Sequence, residues 1–310
     1  MSVLVAGSAG LVGSAVAAAY ESRGEKVIRV TRSNVNLIDL DTTRRFIKST
    51  KPSIVIDAAG KVGGIGANNS YPVEFLAENI RIQSNLMQAA HEADIQKFIF
   101  LGSSCIYPRD CVQPIKEEYL MTGPLEATNS AYAIAKIAGI ELVNSYRKEY
   151  GRRWISLMPT NIYGPNDNFN LQSAHVLPAL IRRFVEAAKS NDPTVTLWGS
   201  GAPLREFLHV DDLALAVLQA AERYDSSMHL NVGTGEDLSI AKLALLIASL
   251  TNFQGEILWD STKPDGTLRK VLDVTRIKAL GWSPTISLEK GIASTIDWYK
   301  SASTEAATRS

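Results

Sequence analysis

The chain has 310 residues, 45% of them hydrophobic and 21% charged, enough for one large domain or two closely joined ones. Thirty-two basic side chains balance thirty-two acidic ones, so no global field draws the protein to nucleic acid or a membrane surface, and an anionic ligand must be held by local groups. No apolar run approaches the roughly 20 residues of a membrane span; the opening MSVLVAGSAG has no charged n-region, and the two cysteines, Cys105 and Cys111, lie close together, so the expectation is a cytoplasmic protein with free thiols.

In chain order, SVLVA (2–6), KVIRV (26–30), SIVID (53–57), KFIFLG (97–102) and RWISLMP (153–159) are near-continuous apolar runs. Such runs suit parallel strands covered on both faces. Helical-period segments separate them at 11–23, 41–49, 72–93 and 130–150. The alternation predicts right-handed βαβ crossovers and a Rossmann-type, doubly wound parallel α/β sheet. After about Tyr163 the rhythm changes. The loop GPNDNFN precedes a helix at 174–190, a strand near TVTLW and the turn GSGAP; then come a helix at 211–223, a strand in MHLNVG, and helices near 239–251, 273–280 and 288–301. These predict a smaller mixed α/β substrate domain laid over the sheet's carboxyl edge, with strand 228–232 a candidate to return to the main sheet. The expected division is 1–165 plus about 206–234 for a dinucleotide domain, 166–205 and 235–302 for the substrate domain, and 303–310 as a frayed tail.

GSAGLVG sets Gly7, Gly10 and Gly13 between a strand and a helix, with Ser8, Ala9, Leu11 and Val12 among them. Glycines there permit a tight turn and close backbone approach, and the helix N-terminus attracts a pyrophosphate. The plain alternative is a β–turn–α unit with glycines for packing. After the second strand VTRSNVNL offers Arg32 and Ser33 but no acid. A guanidinium at that place pairs with a 2′-phosphate, which favours NADPH over NADH; a solvated surface arginine is the bland reading.

YAIAK puts Tyr132 and Lys136 on one helix face. An ammonium beside a phenol lowers the phenol's pKa and suits the pair to passing a proton to or from an oxygen as hydride moves. The stretch LGSSCIYP ends the fourth strand with Leu101, Gly102, Ser103 and Cys105. Cys105 reads either as a reagent or as a small buried hydrophobe.

With Ser103, Tyr132 and Lys136 together, the sequence resembles the extended short-chain dehydrogenase/reductase superfamily over nearly its whole length. AAGKVGGIGANN (58–69), GSSCIYP (102–108), PTNIYGPNDNF (159–169), SAHVLPALIRRF (173–184), LWGSGAPLREFLHVDDLA (197–214) and KPDGTLRKVLD (263–273) narrow the resemblance. They are similar to the branch that epimerises GDP-4-keto-6-deoxy-D-mannose at C3 and C5 and then reduces C4 with NADPH. The resemblance implies Ser103, Tyr132 and Lys136 as the reductive triad, Cys105 as the base of epimerisation and His175 as its acid, with His175 the available partner to activate the thiol. It implies cofactor contacts from the glycine loop, Arg32, Asn36, Leu37, Leu101, Gly102, Tyr132, Lys136, Pro159, Thr160, Asn161, Ile162 and His175. KVGGI (61–65) would pass close to nicotinamide and sugar. The GDP-sugar would be held by Arg183, Trp198, Arg205 and Asp265; a guanidinium forks onto phosphate and an indole offers a flat face. A homodimer through a four-helix bundle of 72–93 and 130–150 is implied as well. His91, His209 and His229 are expected to be structural, and no metal site is expected. The chain departs from the pattern in having Ser8 and Ala9 where a basic residue often sits near the 2′-phosphate. The competing readings are another nucleotide-sugar 4-epimerase or 4-reductase, and a non-catalytic NADP-sensing protein.

Overall fold

A computed structural model describes residues 1–263, 265–302 and 307–308. The first half runs β1 (Ser2–Ala6), α1 (Leu11–Ser22), β2 (Lys26–Val30), α2 (Leu40–Thr50), β3 (Ile54–Asp57), α3 (Ile65–Ser70), α4 (Pro72–Glu92), β4 (Lys97–Leu101), α5 (Ser130–Tyr150) and β5 (Ile155–Pro159). The second runs β6 (Asn161–Tyr163), α6 (Val176–Ser190), β7 (Thr194–Trp198), β8 (Leu204–Arg205), β9 (Phe207–His209), α7 (Val210–Arg223) and β10 (Leu230–Val232). It closes with β11 (Leu238–Ser239), α8 (Ile240–Thr251), β12 (Glu256–Asp260), β13 (Arg269–Lys270), α9 (Thr275–Ala279) and α10 (Leu288–Ser301).

Six parallel strands in the order β2-β1-β3-β4-β5-β10 make the main sheet. Every residue of β3 and β5 is buried, as strands covered on both faces require, which is why their sequences are continuous rather than alternating. Helix α1 packs with α7, while α2, α4 and α5 pack in a row. The chain crosses over between β1 and β3, and the carboxyl ends of those two strands form the topological switch point where such sheets bind ligands. The expected strand at 228–232 is β10, and it does join the main sheet, beside β5.

Two apolar cores result. One lies around the sheet, and the other gathers Phe169, Leu177, Ile181, Phe184, Leu197, Leu243, Ile247 and Ile292. The division does not follow the expected boundary everywhere. Leu272, Val274, Ile277 and Trp282 pack into the first core, because the chain returns past Ile115, which bridges to Leu272. Four elements escaped the sequence pattern: α3, β12 beside β7, the β6–β9 pair, and the three-stranded sheet β11-β8-β13. Of the stretch read as a frayed tail, Ala307 is buried and its carbonyl accepts from Phe169 N at 2.8 Å. Residues 303–306 and 309–310 lie outside the described residues.

Candidate active site

The glycine loop leaves β1 through Gly7, whose φ is +77°. A Cβ on Gly7 would stand 2.5 Å from the Ala58 carbonyl oxygen, and one on Gly13 would stand 2.2 Å from that of Gly7. Both positions therefore need glycine, since backbone occupies the space. Gly10 caps α1 without any side-chain acceptor, and Leu11 and Val12 form the first helical turn. A cradle of this shape fits a dinucleotide pyrophosphate. Ser8 turns inward instead: its amide and hydroxyl both bond to the Val30 carbonyl, at 3.0 and 3.1 Å. Asn166, unnoticed in the sequence, donates to the Ala9 carbonyl (3.2 Å) and to Ser14 Oγ (3.1 Å), tying the loop to the segment before α6. Arg32 follows β2 exposed, with no hydrogen-bond or ion-pair partner among the described residues. Asn36 accepts from Ile38 N, and the Leu37 carbonyl accepts from Asn85.

Helix α5 lies unusually close to β4. A Cβ on Gly139 would be 2.3 Å from the Phe100 ring, so only glycine lets the helix settle there. One turn earlier, Lys136 reaches across the same ring at 5.0 Å and donates to the Leu101 carbonyl at 3.0 Å. Its ammonium also lies 5.7 Å from the Tyr132 ring centre, so the helical spacing does place the pair together. The expected lowering of the phenol's pKa is not what this arrangement gives. Burial, then Cys105 and Asp57, push Tyr132 upward, while burial pushes Lys136 downward. The main reason is burial, which strips a phenolate of its water, and Cys105 and Asp57 add to it.

Ser103 ends β4 in an extended conformation and opens a single 3-10 turn, Ser104–Ile106, its Oγ accepting from Cys105 N at 3.3 Å. That turn carries Cys105 back under the strand end, where it is 7% exposed. Burial raises the thiol's pKa, opposed first by the Lys270 ammonium, then by Ser103 and Lys136. The cations that oppose burial at the thiol are Lys270 and, more weakly, Lys136. The imidazole of His175 feels no charge from Cys105; only surrounding protein lowers its pKa, an effect partly screened because the residue is exposed. His175 is the N-cap of α6. Its place is set by KVGGI, where Gly64 N bonds to the Ser173 carbonyl at 2.8 Å and a Cβ on Gly64 would be 2.5 Å from the Ala174 oxygen. Those glycines thus serve the close approach of the His175 segment.

The small sheet places two cations side by side, Arg205 of β8 pairing in register with Lys270 of β13. Arg205 is braced by the Leu204 and Thr267 carbonyls at 2.8 and 2.6 Å. Of the two arginines on α6, Arg182 is engaged by Glu186 and the Phe169 carbonyl, whereas Arg183 has no ionic partner among the described residues. Trp198 is 69% exposed, with Lys263 Nζ 5.8 Å from its ring. Asp265 is occupied by Ser200, accepting from its amide (2.9 Å) and hydroxyl (2.6 Å), so it shapes the rim loop.

Pro159 ends β5, and Thr160 N bonds to the Val232 carbonyl while Asn161 and Ile162 continue into β6. The other histidines are structural: His209 accepts from Asp211 N at 3.3 Å at the start of α7, His229 bonds Tyr107 at 2.9 Å, and His91 accepts from Arg152.

Residues 3–233 match the NAD dependent epimerase/dehydratase family. The chain belongs to that family. Among curated relatives of this epimerase/dehydratase, a GDP-L-fucose synthase of Escherichia coli (strain K12) is 50% identical over 96% of both chains. A GDP-L-fucose synthase 1 of Arabidopsis thaliana is 48% identical over 96% of this chain and 92% of the relative. A solved GDP-L-fucose synthetase from Naegleria fowleri bound to NADP superposes with a TM-score of 0.88 at 30% identity, covering 96% of this chain and 92% of that one.

Of the residues singled out from sequence, Ser103, Cys105, Tyr132 and Lys136 come together at one strand end of this family member. His175, Arg183, Trp198 and Arg205 stand on other elements, and Asp265 is bonded to Ser200 in the turn after β7. Sequence reading missed Asp57, Asn166 and Lys270. The first ends a buried strand as a lone carboxylate, a signal that was available; the other two depend on contacts far apart in the chain.

Proposed function

We propose that this chain converts GDP-4-keto-6-deoxy-D-mannose to GDP-L-fucose by epimerisation at C3 and C5 followed by reduction at C4, using NADPH. The observation that carries the reading is the thiol of Cys105 set beside the Ser103–Tyr132–Lys136 group and faced by Lys270, in a chain half identical to a relative named for this product. A ketone reductase or simple 4-epimerase needs the triad but not the thiol.

The 4-keto group acidifies the protons on both neighbouring carbons. Ser103 and Tyr132 hydroxyls, as donors at O4, stabilise the enediolate that forms when one is removed. Cys105, assisted by the Lys270 ammonium, takes the proton, and His175 on a separate element returns one to the opposite face. Tyr132 gives its proton to O4 in the reductive step. When bound, the dinucleotide supplies the hydride. Gly7, Ser8, Ala9, Gly10, Leu11, Val12 and Gly13 would hold its pyrophosphate, Arg32 its 2′-phosphate, with Asn36 and Leu37 alongside. Lys136 with Leu101, Gly102 and 159–162 would surround the nicotinamide end. Arg183, Arg205 and Lys270 are the cations for the GDP diphosphate, and Trp198 the flat face.

Incubation with the keto sugar and NADPH in deuterated water tests the reading: NADPH is oxidised and deuterium enters C3 and C5. NADPH consumption with neither carbon labelled would remove the epimerase half. A homodimer through α4 and α5 belongs to the same reading, supported by the exposed apolar residues Val73, Ile80 and Ile134 on those helices. Light scattering of a Val73→Glu/Ile134→Glu variant tests it, since a dimer built there falls to monomer. A cytoplasmic location is proposed from the two free thiols.

A further inference from the structure

We propose that Asp57 is the counter-charge of Lys136, a positioning residue that keeps the Tyr132–Lys136 pair as ammonium and phenol in a dry site. It rests on the reading of Tyr132 as the proton donor. Asp57 ends β3 at the switch point, in register with Ala6 on one side and Phe100 on the other. It is 0% exposed. One carboxylate oxygen accepts from Ala59 N at 3.2 Å, and the other is buried with no hydrogen-bond partner among the described residues. A buried carboxylate with an idle oxygen is costly, and a fold keeps one only where an opposite charge or a function offsets the cost.

The opposite charge is at hand. Phe100, the register partner of Asp57, is the ring over which Lys136 sits, and a Cβ on Gly60, three residues on, would be 3.7 Å from Nζ. Lys136 is itself buried and makes its hydrogen bond to a carbonyl, so nothing in that bond favours the charged form as an anion would. Among the described residues, Asp57 is the one carboxylate that raises the affinity of Lys136 for its proton. The reciprocal effect is present: Lys136 pulls Asp57 down against burial, leaving it at about 6 and thus ionised at neutral pH.

The other groups around this pair are few. From α5 come Tyr132 and Lys136, and from the turn after β4 comes the Cys105 thiol. β1 contributes Ala6, and α4 contributes Asn79, an amide that binds the Lys61 backbone. Lys61 itself pairs with Glu74 and Glu78. With Asp57 ionised, the net charge beside the phenol is close to zero, and Tyr132 keeps its proton to higher pH. Without Asp57, the lysine either sheds its proton earlier or, still charged, draws the phenol's proton off earlier. Both routes move the loss of reductase activity toward lower pH.

The test is the pH profile of kcat for NADPH oxidation by the keto sugar, from about pH 6 to about pH 10. Wild type is compared with Asp57→Asn, which keeps the acceptor for Ala59 N, and with Asp57→Leu, which substitutes apolar bulk should the amide fold poorly. NADPH binding, followed by nicotinamide fluorescence, is expected to match wild type in both. Their basic limb is expected about one unit lower. A limb that superimposes on wild type, or NADPH binding that collapses in both variants, makes Asp57 a packing residue and overturns the proposal. Tyr132→Phe runs alongside: full turnover there removes the donor reading, and the proposal with it, through a different variant from the one that tests Asp57.

Discussion

The two sides of the site are built in opposite ways. At the β4–α5 corner, Ser103, Cys105, Tyr132 and Lys136 are held by buried backbone, a helix drawn in by Gly139, and a carboxylate for the ammonium. At the rim, Arg183 has no ionic partner among the described residues and Trp198 is open to water, while Arg205 is fixed by carbonyls, with only Asp265 and Glu126 acting on its charge from a distance. Proton chemistry needs pKa values set in advance, so its groups are desolvated and their partners built in. Anion binding needs charge left unspent, and solvent keeps such cations cheaply until a diphosphate arrives.

That contrast can be broken most severely in the corner. Tyr132→Phe is expected to lower NADPH oxidation by about 10²–10⁴-fold, the usual worth of a positioned proton donor, with NADPH affinity intact. Cys105→Ser should reduce deuterium incorporation at C3 and C5 by about 10²–10³-fold; exchange at the wild-type rate would return this thiol to packing. On the rim, Arg183→Ala loses a charge-assisted contact of about 1.5–3 kcal/mol, so GDP binding by calorimetry weakens roughly 10- to 100-fold. NADPH binding should not change. Gly139→Ala forces a methyl into the Phe100 ring and should cost about 1–3 kcal/mol in urea unfolding, while Tyr132 turnover falls as Lys136 is displaced. Lys270→Met sharpens the comparison, because this residue belongs to both sides. Its ammonium holds the Cys105 pKa down against burial, so its loss raises that pKa. The acid limb of the exchange–pH profile then moves up by about one unit.

The sheet was legible from sequence because parallel strands buried on both faces must be runs of Val, Ile, Leu and Phe. IVID and ISLMP announce β3 and β5 in that way, to within two residues. The two-residue strands β8, β11 and β13 carry no such period; they exist because Leu204 and Arg205 meet Ser239, Leu238, Arg269 and Lys270 in space. The closeness of Tyr132 and Lys136 was legible for the same local reason, the two being one helical turn apart. The partner of Cys105 was not, since a thiol's environment is set by whichever segment folds over it, and that segment comes from the far end of the chain. Asp57 stood in plain view at the end of an apolar run, yet nothing local says which charge it meets.

Glu206 deserves a mechanical reading. It is fully buried, and one carboxylate gathers the amides of Gly235 (2.7 Å) and Leu272 (2.9 Å) and the hydroxyl of Thr234 (3.3 Å). Among the described residues, no strand pair joins the three-stranded sheet to the six-stranded one. Beside that carboxylate, the Ile115–Leu272 bridge, the 2.8 Å bond from Ile115 N to the Val271 carbonyl and the β6–β9 pair tie the same small sheet, so Glu206 is one of several clamps that fix Arg205 and Lys270 against the main sheet.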